Sequence, residues 1–158
     1  PYFINDKLVP SAVYLGGSYL DSCVNALSVL ERLFDLKILS IKKHEKKHFG
    51  ETDISSVTEY ESFYGIGGTI KTDWSLSRNY KVTNLFFERG SVMLDHSHQA
   101  IHITNKNSSQ IIDCSDNRGR LHQQYIGVFG ECSRRLKDNE YIFKKDILIH
   151  ELLLSVNT

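Results

Sequence analysis

The chain has 158 residues, 41% apolar and 24% charged, which is the balance of a globular chain able to bury a core of its own. Its 19 basic and 19 acidic side chains cancel, so the basic excess demanded by nucleic acid or an anionic membrane is missing. No apolar run approaches the roughly 20 residues of a membrane-spanning helix.

A loop through Ala12 leads to Gly16-Gly17. Beyond it Leu20, Val24, Leu27 and Phe34, with Cys23 and Leu30 beside them, recur at helical steps and predict a helix from Tyr19 to about Phe34. Ser18 is its expected N-cap, with Asp21 three residues on in the manner of a capping box. The period then falls to two. Leu36 to Ile41 reads as a strand, and the charged stretch from Lys42 to His48 as a solvated loop. Val57 to Tyr64 is a second strand, Gly65-Ile66-Gly67-Gly68 a turn, and Thr69 to Ser77 a third strand with Ile70, Thr72, Trp74 and Leu76 on one face. Tyr80 to Phe87, Ser91 to Asp95, Ala100 to Thr104 and Gln110 to Cys114 follow, broken at Arg89-Gly90 and at the polar turn Asn105 to Ser109. Turns this short require antiparallel pairing.

Two more helices are expected. Arg120 to about Lys137 carries Leu121, Tyr125, Val128, Phe129 and Cys132 on one side, and Tyr141 to Val156 carries Ile142, Ile149, Leu152 and Leu153. Helix, meander sheet and two helices make an α+β chain, read as a single domain over 1–158, with its helices on one face of a large, open, mainly antiparallel sheet. The other face shows some of Tyr60, Phe63, Trp74, Leu85 and Phe87, a candidate surface for self-association.

His44-Glu45-Lys46-Lys47-His48 matches the His-Glu-x-x-His zinc-protease pattern letter by letter, but that chemistry needs both imidazoles on one face of a helix and a third ligand downstream. Glu51 and Ile54 occupy the positions of the extended pattern's glycine and third histidine, so no metal is expected there. His96, His98 and His102 share a parity and could hold a metal on a continuous strand; Ser97 and Gln99 suggest a turn between them instead. Gly65 to Gly68 is followed by a strand, where a dinucleotide loop requires a helix, and no cofactor site is expected within the chain.

Cys23, Cys114 and Cys132 are odd in number, far apart and without a Cys-x-x-Cys pair, which points to a reducing, cytoplasmic setting. In that setting the sequon Asn107-Ser108-Ser109 has no role. The opening Pro1-Tyr2-Phe3 lacks a Met and the charged-then-apolar order of a secretion signal, and reads as the start of a fragment or processed chain.

Gly16 to Asn25 carries the most information. Two glycines permit an unusual turn or the close approach of a ligand. Asp21, Asn25, Ser28 and Arg32 lie at helical spacing opposite the apolar stripe, with Asp21 and Asn25 one turn apart. Asp21 either complements the helix dipole or faces a ligand.

Gly16 to Asn25 resembles the Gly-Gly-x-x-x-Asp-x-Gly-x-His/Tyr segment of the second domain of the glucose-fructose oxidoreductase, inositol dehydrogenase and rhizopine-catabolism (Gfo/Idh/MocA) family. Asn84 to Leu94, reading Asn-Leu-Phe-Phe-Glu-Arg-Gly-Ser-Val-Met-Leu, is similar to that family's apolar, Gly-Glu-x-Gly, apolar strand pair, with Phe87 replacing the first glycine. The closing helices also fit. The resemblance implies a sheet of the dihydrodipicolinate-reductase and glyceraldehyde-phosphate-dehydrogenase type. It also implies a preceding Rossmann domain, absent from this chain, that binds NAD or NADP and supplies a lysine. The substrate implied is a sugar or polyol contacted by Gly16, Gly17, Asp21 and Asn25, with the chain a homo-oligomer through its sheet face. Asp21 matches the family's substrate-orienting Asp and Cys23 replaces a glycine. Asn25 stands where a His or Tyr serves as base, although an amide takes no proton near neutral pH. Either another group, such as Tyr64, His96 or His98, accepts the proton, or the chain comes from a catalytically silent homologue that binds a ligand or regulates.

Overall fold

The computed structural model describes residues 3–4, 7–76, 80–115, 118, 122, 125–127, 129–130 and 142–156, with the side chains of 3, 4, 45, 46 and 142–146 left aside. The chain divides into two compact units, one from Pro1–Leu76 with Glu140–Thr158, the other Ser77–Asn139.

In the first unit, short strands β1 (Phe3–Ile4) and β2 (Lys7–Leu8) pair antiparallel ahead of α1 (Pro10–Tyr14), where the sequence pattern suggests only a loop. Pro10 occupies the first turn of α1, where its missing N–H costs nothing. Helix α2 (Gly17–Phe34) follows, then β3 (Ile38–Phe49), β4 (Thr52–Ser62) and β5 (Gly67–Asp73) in one antiparallel sheet of order β3-β4-β5. The closing helix α3 (Ile142–Ser155) completes the unit.

The buried line of α2 runs through Tyr19, Cys23 and Leu27, joined by Ile149 and Leu153 of α3, with Leu20, Val24, Ile38, Ile41, Tyr60 and Ile70 packed around it. Cys23, Leu27 and Leu30 of the expected stripe are buried and Leu20 and Val24 partly so, while Tyr19 joins the core because its hydroxyl donates to the Leu153 carbonyl at 3.1 Å and is satisfied there. Phe34, expected inside, is 39% exposed. The helix ends at Asp35, whose left-handed backbone (φ 48°) returns its N–H to the Glu31 carbonyl, while Glu31 Oε1 accepts the Lys37 N–H at 3.0 Å.

Two further expectations are corrected here. Lys42 to His48 is strand rather than loop, since β3 continues through it to Phe49 with bulges near Glu45 and Lys47. Trp74 is buried with Ala12 and Ile54 rather than open on a sheet face, and its indole N–H donates to Ser22 Oγ at 3.2 Å. Tyr60 likewise packs inward. The outward rows of this sheet, Ser40–Glu61–Gly67 and Lys42–Glu59–Thr69, are polar.

The second unit holds a four-stranded antiparallel meander, β6 (Val82–Phe87), β7 (Gly90–Asp95), β8 (Ala100–Asn105) and β9 (Ser109–Asp113). Cross-strand partners share a face. Leu85, Val92 and Ile103 form one row, and Leu94, Ile101 and Ile112 the next, so one face of the meander is an apolar band. Gly90 is required by the pairing: a Cβ there would collide with the Thr104 carbonyl oxygen on β8. The described ladders thus form the β1-β2 pair and a three-stranded sheet in the first unit and a four-stranded sheet in the second, where one large sheet was expected. Strand β5 stops at Asp73, whose carboxylate turns the chain by accepting the Ser75 N–H at 2.8 Å. The expected helix Arg120 to Lys137, Cys132 included, lies largely outside the described residues; His122, Tyr125 to Gly127, Phe129 and Gly130 are helical.

Candidate functional site

The start of α2 is built from outside the helix. Gly16 and Gly17 both take left-handed backbone (φ 77° and 85°), conformations that cost a residue with a Cβ. With no capping side chain at Gly16, the first turn is satisfied by Asp53 of β4. Asp53 Oδ2 accepts the Tyr19 N–H at 2.9 Å and the Ser18 hydroxyl at 2.9 Å, and Lys43 Nζ lies 3.5 Å from Oδ1. The same ammonium sits 4.6 Å from the centre of the Tyr19 ring. Thr72 passes a hydrogen bond to Ser18 at 3.0 Å and shares another with Ser56 at 2.8 Å, so a polar network lies beneath the helix. A Cβ on Gly17 would run into the Asp53 carboxylate and lie 2.8 Å from its carbonyl oxygen. Ser18 is therefore not the cap it was expected to be. Asp21, the fifth helical residue, stands beyond the first turn and is not a capping-box acid.

Asp21 and Asn25 do come together as their spacing required. Asn25 is exposed and its amide donates to the Asp21 carbonyl at 2.7 Å. Asp21 is half-buried, with the Ser22 hydroxyl 3.5 Å from its carboxylate. Arg32 on the same side is exposed and Ser28 half-buried. Of the two glycines, Gly16 is exposed, and Gly17 is buried against Asp53. Cys23, where the family motif has a glycine, is buried, and its Sγ lies 3.3 Å from Thr58 Oγ1; burial pushes the thiol pKa up, away from reactivity.

Sequence reasoning missed Asp53 and Lys43. The one local signal was the cluster of polar residues Asp53, Ser55 and Ser56 just ahead of the expected strand, all three of which are buried.

The remaining motifs separate. On a strand His44 and His48 lie about 13 Å apart along the backbone, too far to share a zinc ion. His44 Nε2 is instead 3.6 Å from Glu59 Oε2. His96 and His98 lie in the turn between β7 and β8, and His102 on β8 itself, so the three share no continuous strand face. His98 Nδ1 is 2.8 Å from Asp95 Oδ2, while Asp95 Oδ1 accepts the Ser97 and His98 N–H groups. These bonds, that of the His98 ring first, hold the Asp95 carboxyl below the usual aspartate range. His96 Nε2 is 3.0 Å from Thr83 Oγ1. Tyr64 is exposed against Phe63, with Lys37 5.7 Å above its ring. Gly65 to Gly68 forms the hairpin connection and first residues of β5, as expected.

Clefts of about 470 Å³ beside Arg89 and Lys106, and about 460 Å³ beside Lys42 and Glu61, are open surface features that do not include Asp21.

No protein-family model matches the chain, and no curated protein matches it in sequence. Solved structures do match its fold. UDP-N-acetylglucosamine 3-dehydrogenase GnnA from Acidithiobacillus ferrooxidans superimposes with a TM-score of 0.71 at 9% identity, over 94% of this chain and 47% of its own. An oxidoreductase from Agrobacterium radiobacter, solved with NAD+, L-tartaric acid and magnesium, gives 0.72 at 10% identity, over 92% and 48%. The aldose-aldose oxidoreductase from Caulobacter crescentus gives 0.66 at 17% identity, over 89% and 45%. The chain spans about half the length of these proteins, and over that half it has the fold of the Gfo/Idh/MocA-type oxidoreductases.

Proposed function

We propose that this chain, as a single domain, is the substrate-side and oligomerisation part of an NAD- or NADP-dependent sugar or polyol oxidoreductase of the cytoplasm. The observation that carries the proposal is the opening of α2. There the Gly-Gly-x-x-x-Asp segment presents Asp21 and Asn25 one turn apart at the helix surface, in a chain with the fold of such enzymes. Asp21 orients a hydroxyl-rich substrate, with Gly16 and Gly17 shaping the approach to it. The nicotinamide belongs to a separate nucleotide-binding domain. This chain fits it poorly, because the glycine-opened helix start that could receive a pyrophosphate already holds the Asp53 carboxylate. Titration of the chain with NADH, followed by its fluorescence, should give no saturable binding at micromolar concentration.

A second reading, a catalytically silent ligand-binding homologue, is favoured by Asn25. Its amide is engaged by its own helix and cannot act as a base. The two readings differ in kinetics. In the protein joined to its nucleotide-binding half, Asp21→Asn lowers turnover strongly if the chain serves an enzyme. Asn25→His then raises turnover with an inflection near the imidazole pKa of about 6.5. Absence of turnover in the parent and both variants supports the silent homologue.

A further inference from the structure

We propose that Asp53 is the positioning residue of α2: a carboxylate delivered from the sheet that sets the helix start, and through it the place of Asp21 and Asn25. Helices usually take their cap from the residue just before the first turn. Here that residue is Gly16, which has no side chain, and the acceptor comes from a strand 34 residues away in sequence. Every group around Asp53 serves its placement. Gly17 lacks the Cβ that would occupy the space of its carboxylate. Ser18 and the Tyr19 N–H both donate to Oδ2. Lys43, whose side chain is only 9% exposed, balances the charge from β3.

A carboxylate at a helix N-terminus is favoured by the exposed N–H groups and by the dipole together. The lack of a side chain at Gly17 is thus explained from within the molecule, by the approach of Asp53, while Gly16 is held by its left-handed backbone and by Leu20. Less than two turns of stiff helix carry the constraint from Tyr19 to Asn25. The functional weight of that constraint rests on the proposed role of Asp21.

The test uses the full chain and needs no ligand, so failure of the oxidoreductase proposal would leave its result standing. Amide exchange at Tyr19 and the side-chain amide signals of Asn25, held on the Asp21 carbonyl, are compared by NMR in Asp53→Ala and Asp53→Asn. Asp53→Ala is expected to speed Tyr19 exchange roughly tenfold or more and to shift the Asn25 side-chain signals. Asp53→Asn, which keeps an acceptor, should restore most of both. Faster Tyr19 exchange with unmoved Asn25 signals would make Asp53 a local stabiliser and overturn the proposal, as would no change in either. If the charge left on Lys43 prevents Asp53→Ala from folding, the Lys43→Met/Asp53→Ala pair gives the same two signals, and the same outcomes support or overturn the proposal.

Discussion

Gly17 and Asp21 lie four residues apart, and only one of them is readable from sequence. Asp21 and Asn25 stand out because a helix places residues four apart on the same side, a rule needing no knowledge of the rest of the chain. The demand for glycine at 17 is visible, but its cause is not, since Asp53 reaches the helix through tertiary structure. Gly17→Ala should therefore cost more than the usual left-handed penalty of about 1–2 kcal/mol. Gly50→Ala, at φ 62° with open space around the missing Cβ, should cost that penalty alone. Urea midpoints of the two variants, measured side by side, give the difference. Asp95 supplies a pH test at the same scale. Its folded carboxyl titrates below its unfolded value, so its contribution to stability is complete above the ordinary aspartate pKa of about 4 and is lost as pH falls through the lower folded value. Asp95→Asn should flatten that acid limb in denaturation measured from neutral pH downward.

Among the elements, the strands joined by tight turns are legible, since alternation and turn residues are local features. Strand β3 is longer than its alternation suggests for a physical reason. Among the described strands it lies at an edge, and edges tolerate lysines that would be costly in the middle of a sheet, so a charged run that reads as loop is protected edge. The placement settles the geometry of the His-Glu-x-x-His match. Replacing His44 or His48 by Ala should leave zinc content, measured by mass spectrometry on protein purified without added metal, equal to that of the parent. The extent of helix α2 and the burial of Cys23, Leu27 and Leu30 follow from its periodicity, but the core place of Tyr19 and the exposure of Phe34 do not. The polar tip of Tyr19 argues for the surface until the carbonyl of Leu153 is seen to receive it.

For the molecule as a whole, the order of helices and strands leads correctly to an α+β chain, and the order of motifs leads to the fold that the solved structures share. Division into two units is not legible, because the first unit is completed by α3 from the far end of the chain. The sheets also differ in character: the outward rows of β3 to β5 are polar, while one face of β6 to β9 is apolar. Self-association, where the chain serves as an oligomerisation domain, should use the second. Ile103→Lys, in the middle of that band, should shift sedimentation at high micromolar concentration toward monomer, and Lys71→Glu should not.

The hydroxyl of Tyr19 and the carbonyl of Leu153 also impose an order in time. During synthesis β6 to β9 can close hairpin by hairpin as each strand leaves the ribosome, since every partner is a neighbour in sequence. The first unit cannot finish so early. Tyr19, Cys23 and Leu27 wait beside an open groove until Ile149 and Leu153, far along the chain, arrive to cover it. Nascent chains stalled before Ile149 should therefore yield a protease-resistant meander and a labile α2, and release of the last residues should protect both.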